Sequence, residues 1–278
     1  MKKKRLAVFL LFLLAGAFAL PILYTFAGSM MSPGEALSRF QKTSRSFGEP
    51  YGPSLIPGVV TLKQYYSLLI ENSKYLGMFW NSVFYAAVIT ALSNIFIIPL
   101  SFVFAKSKFR GSNSLFFVFI LTMMMPFQVT LLPIYLVLSG TSLLNTSWSL
   151  ILPSVFAPTG VFLLRQFMRN VPDEYMEAAS LETNSVFAIL TRVVIPSSKN
   201  GVIAMNILVF AEAWNMVEQP LLFLNDMTKY PLSVAMNGIM STNLNVAFSG
   251  SVLFMAPIIV LYLCFEEQIV EGLESLKW

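Results

Sequence analysis

Polar side chains interrupt an apolar run near residue 212. Glu212, Asn215 and Gln219 follow at intervals of three and four residues, with Glu218 between them, so they share one face if the run is a continuous helix. Ionisable groups inside a membrane span are costly and usually line a water-filled path. Carboxylates and amides form hydrogen bonds with hydroxyl groups, and the indole of Trp214 can stack on a sugar ring. The pattern predicts a path for a polyhydroxylated solute, and the alternative is hydrogen bonding between helices.

Other polar groups lie inside apolar runs elsewhere in the chain. Asn81 and Gln128 are added as candidates for the same path, and Asn94 and Thr130 are of the same kind. The position of a single polar residue does not show whether it faces a path or another helix.

The chain lacks the residues of the common catalytic and metal sites. It has no histidine and one cysteine, Cys264, and it has no glycine-rich phosphate-binding loop. We therefore predict no catalytic residue, no metal site and no cofactor bound by this chain. The basic residues lie between apolar runs, which fits membrane topology better than nucleic-acid binding.

A second polar stretch, from Pro172 to Ser185, is too polar to span lipid. Pro172 suits the first turn of a helix, and Asp173 and Glu174 place negative charge at the positive end of its dipole. Tyr175 and Leu181 add apolar surface to this predicted helix. The composition favours a docking helix, and the alternative is a solvated loop.

The same stretch carries a long signature. Glu177, Ala178 and Ala179, then Thr183, then Ile195 and Pro196 resemble the EAA signature of the membrane subunits of bacterial ATP-binding-cassette (ABC) importers. The triplet from Ala213 to Asn215 and the ending with Gln268, Gly272 and Leu273 resemble the second permease subunit of carbohydrate importers of the maltose and glycerol-phosphate type. Met216 stands where the family often has an acidic residue, and Glu212 and Glu218 stand where small or apolar residues are commoner.

The resemblance implies a transport subunit that works with other chains. These are a second permease, an ATPase dimer that binds ATP and Mg, an extracytoplasmic solute-binding protein and the lipid bilayer. The EAA-type helix would dock on the ATPase, and solute would cross by alternating access. The residues implied in coupling are Glu177, Ala178, Ala179, Leu181, Glu182, Thr183 and Asn184.

Thr183 departs from the family, which usually has glycine there. A β-branched residue in the left-handed conformation is unfavourable by about 1 kcal/mol or more. We therefore expect that Asn184 adopts that conformation instead, or that the helix continues one residue longer.

The composition requires a membrane protein, since 56% of the 278 residues are hydrophobic and 12% are charged. The predicted fold is all-α with six transmembrane helices and a cytoplasmic coupling helix, the type I ABC importer fold. The six apolar runs are 6–31, 76–105, 115–138, 148–167, 201–224 and 247–265.

The basic segments set the expected topology. The run from Lys2 to Arg5 and the basic turn from Lys106 to Gly111 should lie inside the cell, so both termini are cytoplasmic in a bacterial inner membrane. The first run is long enough to be a retained span, and a cleavable signal peptide is the alternative. The expected segments are an N-terminal helix (1–31), an extracytoplasmic segment (32–74) with a loop over 39–49, a permease core (75–265) with the EAA loop at 169–199, and a cytoplasmic tail (266–278).

Two alternatives remain open from the sequence. One is an ABC importer for a non-sugar solute such as a polyamine or an anion. The other is an ion-coupled secondary transporter or a channel that needs no ATPase. The residues do not identify the solute, nor whether its contacts lie on this chain or on its partner.

Overall fold

The computed structural model describes residues 2–32, 34–36, 56–71, 73–236 and 244–275. Within these ranges the regular elements are helices, and one isolated antiparallel bridge joins Met31 to Val60. The all-α prediction is confirmed. The loop expected over 39–49 lies outside the described residues.

The main helices follow the order of the apolar runs. They are α1 (Lys2–Ser29), α2 (Lys63–Tyr66, continued by a π-helical turn over Ser67–Glu71), α3 (Ser73–Lys106), α4 (Ser112–Met123), α5 (Phe127–Gly140), α6 (Trp148–Val155), α7 (Pro158–Arg169), α8 (Asp173–Glu182), α9 (Val186–Ile189, continued by a π-helical turn over Leu190–Val194 and a turn over Ile195–Ser197), α10 (Lys199–Trp214), α11 (Glu218–Phe223) and α12 (Leu244–Ser275). A 3₁₀ turn covers Met227–Lys229.

The chain divides into two compact units, which are described separately. The first comprises Met1–Phe79 and Leu232–Pro257. Its core contains buried Leu68, Tyr75 and Leu232, and the Tyr75 hydroxyl donates a hydrogen bond to the carbonyl oxygen of Gly250 at 3.2 Å.

The second unit comprises Trp80–Pro231 and Ile258–Trp278. Here α10 packs along α7, α4 packs on α7, and α11 packs on α5 and α6. Both polar regions singled out from the sequence, the EAA segment and the region around residue 212, belong to this unit.

Four helical stretches are each long and apolar enough to cross a membrane: Val8–Ser29, Lys74–Lys106, Trp148–Arg169 (α6 and α7 together) and Val246–Gln268. Two further stretches qualify as bent pairs. Ser112–Met123 meets Phe127–Gly140 at 97°, and Val186–Ser197 meets Lys199–Trp214 at 84°. The described residues thus supply four to six candidate spans, consistent with the six predicted.

Proline interrupts two of the predicted spans. The third is broken before Pro126, and the fourth is broken at Ala157, which is extended (φ −95°, ψ 102°) because it precedes Pro158. A proline lacks the N–H that an uninterrupted helix needs, so each one begins a new helix. The third and fourth predicted spans are therefore bent at these prolines, and each still qualifies as a candidate span.

The fifth predicted span is also broken. Helix α10 ends at Trp214, Asn215 is its C-cap, and α11 begins at Glu218. Pro220 cannot donate a hydrogen bond to the carbonyl of Met216, but it fits the first turn of a new helix. The predicted continuous helix from Gly201 to Leu224 is wrong for this reason.

Candidate functional site: a coupling helix and a polar face

Helix α8 forms where the sequence predicted a docking helix. It begins at Asp173 immediately after Pro172, and Asp173 and Glu174 lie in its first turn. None of its residues is buried, and the side chain of Leu181 is 89% exposed. A short helix with a large apolar side chain turned fully outward has a surface suited to a protein partner.

Thr183 ends the helix in a way that neither expectation described. It is extended, with φ −150° and ψ 138°, and neither it nor Asn184 has a positive φ. The expectation that Asn184 would be left-handed is wrong, and so is the expectation of a longer helix. An extended backbone suits a β-branched residue, so Thr183 is not strained.

The Thr183 hydroxyl also helps to start the next helix. Its Oγ1 accepts a hydrogen bond from the backbone N–H of Ser185 at 3.2 Å. Ser185 is the N-cap of α9, and its own Oγ accepts from the N–H of Ala188 at 3.3 Å. The turn from α8 to α9 is thus held by two hydroxyls and needs no glycine.

The apolar surface of α8 extends onto α9. Val186 is 63% exposed and Phe187 is 74% exposed, and both follow shortly after Leu181. We call Leu181, Val186 and Phe187 the docking patch. Of these three residues only Leu181 was predicted to add apolar surface, because Val186 and Phe187 lie just beyond the polar stretch that ends at Ser185.

The helices on either side of this segment approach each other closely. A Cβ on Gly201 of α10 would lie 2.4 Å from Cγ of Phe167 on α7, and a Cβ on Gly160 of α7 would lie 2.9 Å from Cδ1 of Ile97 on α3. The atoms near Gly201 include the Cβ of Phe167, which cannot rotate away, so position 201 requires glycine, whereas the atom near Gly160 is the end of a flexible side chain. Helices α7 and α10 therefore form a close pair, and the segment with α8 and α9 connects the end of α7 to the start of α10.

Lys106, the last residue of α3, contacts the start of α8. Its Nζ donates hydrogen bonds to the carbonyl oxygen of Val171 and to Oδ1 of Asp173, the latter at 2.7 Å. The bond from Lys106, and then its charge, hold the pKa of the Asp173 carboxyl below its ordinary value. From the sequence, Lys106 was predicted only to be part of a basic turn that sets topology.

Arg165 makes a second link to the end of α3. It is a buried residue of α7, and its Nε donates to the carbonyl oxygen of Phe104 at 3.1 Å. Its guanidinium carbon lies 3.7 Å from the centre of the Phe116 ring on α4. A single sequence does not identify this residue as structural, because its acceptor is a backbone carbonyl 61 residues away.

The polar face around residue 212 is divided between two helices. Glu212 on α10 is exposed, and its Oε1 accepts a hydrogen bond from the hydroxyl of Thr159 at 3.2 Å. Glu218 begins α11, is also exposed, and accepts from Nε2 of Gln128 at 3.1 Å. The structure thus brings Gln128 to Glu218, but Glu212 and Glu218 do not share one helical face as predicted.

The other three residues of this region that were predicted to line the path lie in different environments. Asn215 is exposed at the C-terminus of α10, where its Nδ2 donates to the carbonyl of Ala211 at 2.8 Å, and Gln219 is partly buried in the first turn of α11. Trp214 has no exposed surface and stacks on Phe210, with ring centroids 5.8 Å apart. Its environment favours packing over contact with a solute.

Asn81 holds a turn. Its Nδ2 donates to the carbonyl oxygens of Thr228 at 2.7 Å and Tyr230 at 3.1 Å. Nδ2 of Asn94 donates a hydrogen bond to Oδ1 of Asn206 at 2.6 Å, which is the interhelical alternative considered for such residues.

In the part of the chain that the structure describes, no group of three or more acidic, cysteine or histidine side chains is placed to hold a metal ion.

The fold resembles a solved transporter. The crystal structure of a bacterial ABC transporter involved in the import of the acidic polysaccharide alginate contains a chain that matches with a TM-score of 0.78 and 21% identity, covering 96% of each chain. At this identity the likeness shows the fold alone, and it agrees with the predicted type I importer fold.

Sequence relatives cover most of the chain. The arabinooligosaccharides transport system permease protein AraQ of Halalkalibacterium halodurans is 30% identical over 220 residues, which are 78% of this chain and 79% of the relative. The sn-glycerol-3-phosphate transport system permease protein UgpE of Brucella abortus is 28% identical over 268 residues, 92% of this chain and 90% of the relative.

The family model described as binding-protein-dependent transport system inner membrane component matches residues 97–274. That range contains α8, the docking patch and the polar groups around residue 212. The chain therefore belongs to the family of inner membrane components of binding-protein-dependent transport systems, as a transport subunit and not an ATPase.

Proposed function

We propose that this chain is a permease subunit of an ATP-driven importer for a sugar or oligosaccharide, driven by a separate ATPase that docks on α8. One observation carries the proposal: α8 has no buried residue, although it lies between two closely packed spans. The exposed Leu181, Val186 and Phe187 provide apolar contact, and Glu177 and Glu182 provide charge for a basic partner.

The mechanism follows from the connection of the helices. A helix that is rigidly joined to two spans transmits a displacement to them, and a change in the spans is transmitted back to it. Closure of an ATPase dimer on bound ATP and Mg would thus shift α7 and α10 and change the side on which the path opens. The chemistry of hydrolysis belongs to the ATPase, while this chain binds it and moves.

The proposed assembly contains a second permease, an ATPase dimer and an extracytoplasmic solute-binding protein. We place both termini and the loop at 169–199 in the cytoplasm of a bacterial cell, and residues 32–74 outside. Residues 1–31 form the N-terminal span, 75–265 the permease core and 266–278 a cytoplasmic tail. The exposed apolar side chains of α1, such as Phe12 at 76%, support a position for that helix against lipid or the second permease.

The polar face supports a solute rich in hydroxyl groups. Glu212 and Glu218 each accept one hydrogen bond from a neutral group, Thr159 and Gln128, and carboxylates can accept several more. Trp214 is packed in the core and is not needed for this contact. We assign the first solute contacts on this chain to Glu212, Asn215, Glu218 and Gln219, with Gln128 as a neighbour.

Two carboxylates also disfavour an anionic solute. A second negative charge about 4 Å from a carboxylate is repelled by about 1 kcal/mol in bulk water and by about 4 kcal/mol near a protein surface. The ion pairs among the described residues involve neither Glu212 nor Glu218. We therefore favour a neutral solute, as the name of the arabinooligosaccharide relative indicates, over glycerol phosphate.

The test is uptake by the assembled transporter in proteoliposomes. We expect a neutral oligosaccharide to be imported and glycerol 3-phosphate to be excluded, with Glu212→Gln retaining part of the uptake and Glu212→Leu abolishing it. If Glu212→Leu leaves uptake intact, Glu212 does not line the path. Import of a polyamine or an anion in place of the oligosaccharide would contradict the proposed solute class.

A further inference from the structure

Lys106 differs from the other lysine in contact with the start of α8. Its side chain is only 5% exposed, whereas the side chain of Lys108, which lies 3.7 Å from the other oxygen of Asp173, is 91% exposed. A lysine that merely sets topology keeps its ammonium group in water or among lipid headgroups. Lys108 fits that description and Lys106 does not.

The two acceptors of Lys106 belong to the residues on either side of Pro172, which immediately precedes α8. Val171 follows α7, Asp173 is the first residue of α8, and Pro172 between them cannot donate a backbone hydrogen bond. A buried ammonium group requires acceptors for its protons, and here they are the Val171 carbonyl and the Asp173 carboxylate. The contact therefore joins the end of α3 to the start of α8.

The same end of α3 is also held by α7. The carbonyl of Phe104 lies in the last turn of α3, where backbone carbonyls lack a partner within the helix, and Nε of Arg165 donates to it. We call Lys106 and Arg165, with the acceptors Phe104, Val171 and Asp173, the basic clasp. Through it α3 is attached both to the span before the coupling helix and to the coupling helix itself.

We propose that Lys106 is a positioning residue for energy coupling, which makes the cytoplasmic end of α3 move together with α8. This inference rests on the proposed role of α8 as the helix that docks on an ATPase. Helices α7 and α10 are connected to α8 through the chain. Helix α3 is not, and although it packs on α7 near Gly160, Lys106 is its direct contact with the start of α8. Through the basic clasp, a displacement of α8 reaches the end of α3 directly as well as through α7.

The experiment measures the distance between α3 and α8 in the assembled transporter. In a Cys264→Ser background, which removes the single cysteine of this chain, spin labels are placed at Val103→Cys near the end of α3 and at Glu174→Cys in the first turn of α8. Both positions are exposed and neither belongs to the basic clasp. We expect a narrow distance distribution without further change, and a distribution at least twofold wider with Lys106→Met.

Two further variants separate the basic clasp from general effects on folding. Lys108→Met removes a neighbouring positive charge that is exposed, and we expect no widening. Asp173→Asn keeps the size of the side chain, removes its charge and leaves the hydrogen bond from Lys106 to the Val171 carbonyl in place. We therefore expect a distance distribution of intermediate width. If Lys106→Met fails to assemble, the distance distributions of Asp173→Asn and Lys108→Met are compared instead. Equal widths in these two variants would overturn the proposal.

A functional measurement follows in the same proteoliposomes. With Lys106→Met we expect at least a threefold increase in the ATP hydrolysed per solute imported, while ATPase binding persists because the docking patch is intact. An unchanged ratio would overturn the coupling role of Lys106. If the transporter imports no sugar, the proposed solute is wrong, but the distance distributions still test the basic clasp by themselves.

Discussion

Gly201 lies against Phe167 so closely that a Cβ on Gly201 would be 2.5 Å from the Cβ of Phe167. The two residues belong to α10 and α7, the helices that flank the coupling segment. Because one of the atoms in conflict is a Cβ, rotation of the phenyl ring would not relieve the overlap. If α8 couples the spans to an ATPase, as we propose, this close pair of helices is the element that we expect to move with it.

Gly201→Ala should destabilise the protein by about 1–3 kcal/mol, since overpacking forces the helices apart. The matched control is Gly77→Ala in α3, where a Cβ meets nothing within 4 Å. There we expect a gain of about 0.5–1 kcal/mol from the lower entropy of the unfolded chain. Thermal unfolding in detergent micelles measures both, and equal effects would contradict the close packing.

Leu181→Asp should prevent ATPase binding with little effect on stability. The side chain is 89% exposed, so its replacement should change the free energy of unfolding by no more than about 0.5 kcal/mol. The control is Leu164→Ala, which truncates a fully buried side chain of α7 and should cost about 2–5 kcal/mol. Co-purification of the ATPase, together with thermal unfolding, distinguishes the two, and retention of the ATPase by Leu181→Asp would refute the docking patch.

Asn81→Ala should lower stability and leave solute affinity unchanged. The substitution removes two hydrogen bonds to the turn at 228–230, for which we expect a loss of about 1–3 kcal/mol. Thr130→Val is a suitable control, because the Thr130 hydroxyl bonds only within its own helix, to the carbonyl of Phe127. A raised KM for uptake with normal stability would instead return Asn81 to the solute path.

The ion pair of Asp173 should persist across the physiological pH range. The pKa of the folded carboxyl is lowered by Lys106, so its contribution to stability is complete above the unfolded value of about 3.9 and is lost as the pH falls through the folded value. The distance between α3 and α8 should therefore be constant from pH 8 to pH 5. Lys106 and Lys108 are the charges facing this carboxyl, and a loss of order near pH 6 would show that another group controls the contact.

The sequence predicted the coupling helix well because its signals are local. Pro172 and the acidic residues after it fix the start of α8 through backbone and dipole effects within one turn. The end was harder to predict. The family pattern pointed to a left-handed residue near Thr183, whereas two hydroxyl hydrogen bonds, from Ser185 to Thr183 and from Ala188 to Ser185, hold an extended turn.

The shared polar face around residue 212 was predicted less well, because helical periodicity assumes an uninterrupted helix. Pro220 requires a new first turn, and this breaks the face on which Glu212 and Gln219 were expected together. The hydrogen-bond partners of Lys106 and Arg165 lie more than 60 residues away in sequence, and most are backbone carbonyls, which no residue pattern records. Such contacts require the fold.

The central claim is that an ATPase drives this chain through α8. The most direct measurement is solute uptake into proteoliposomes that contain the assembled transporter, with ATP supplied to the ATPase side and ion gradients dissipated by ionophores. We predict that uptake depends on ATP, survives the ionophores and disappears with Leu181→Asp. Uptake that needs an ion gradient but no ATP, and that Leu181→Asp leaves unchanged, would contradict the account.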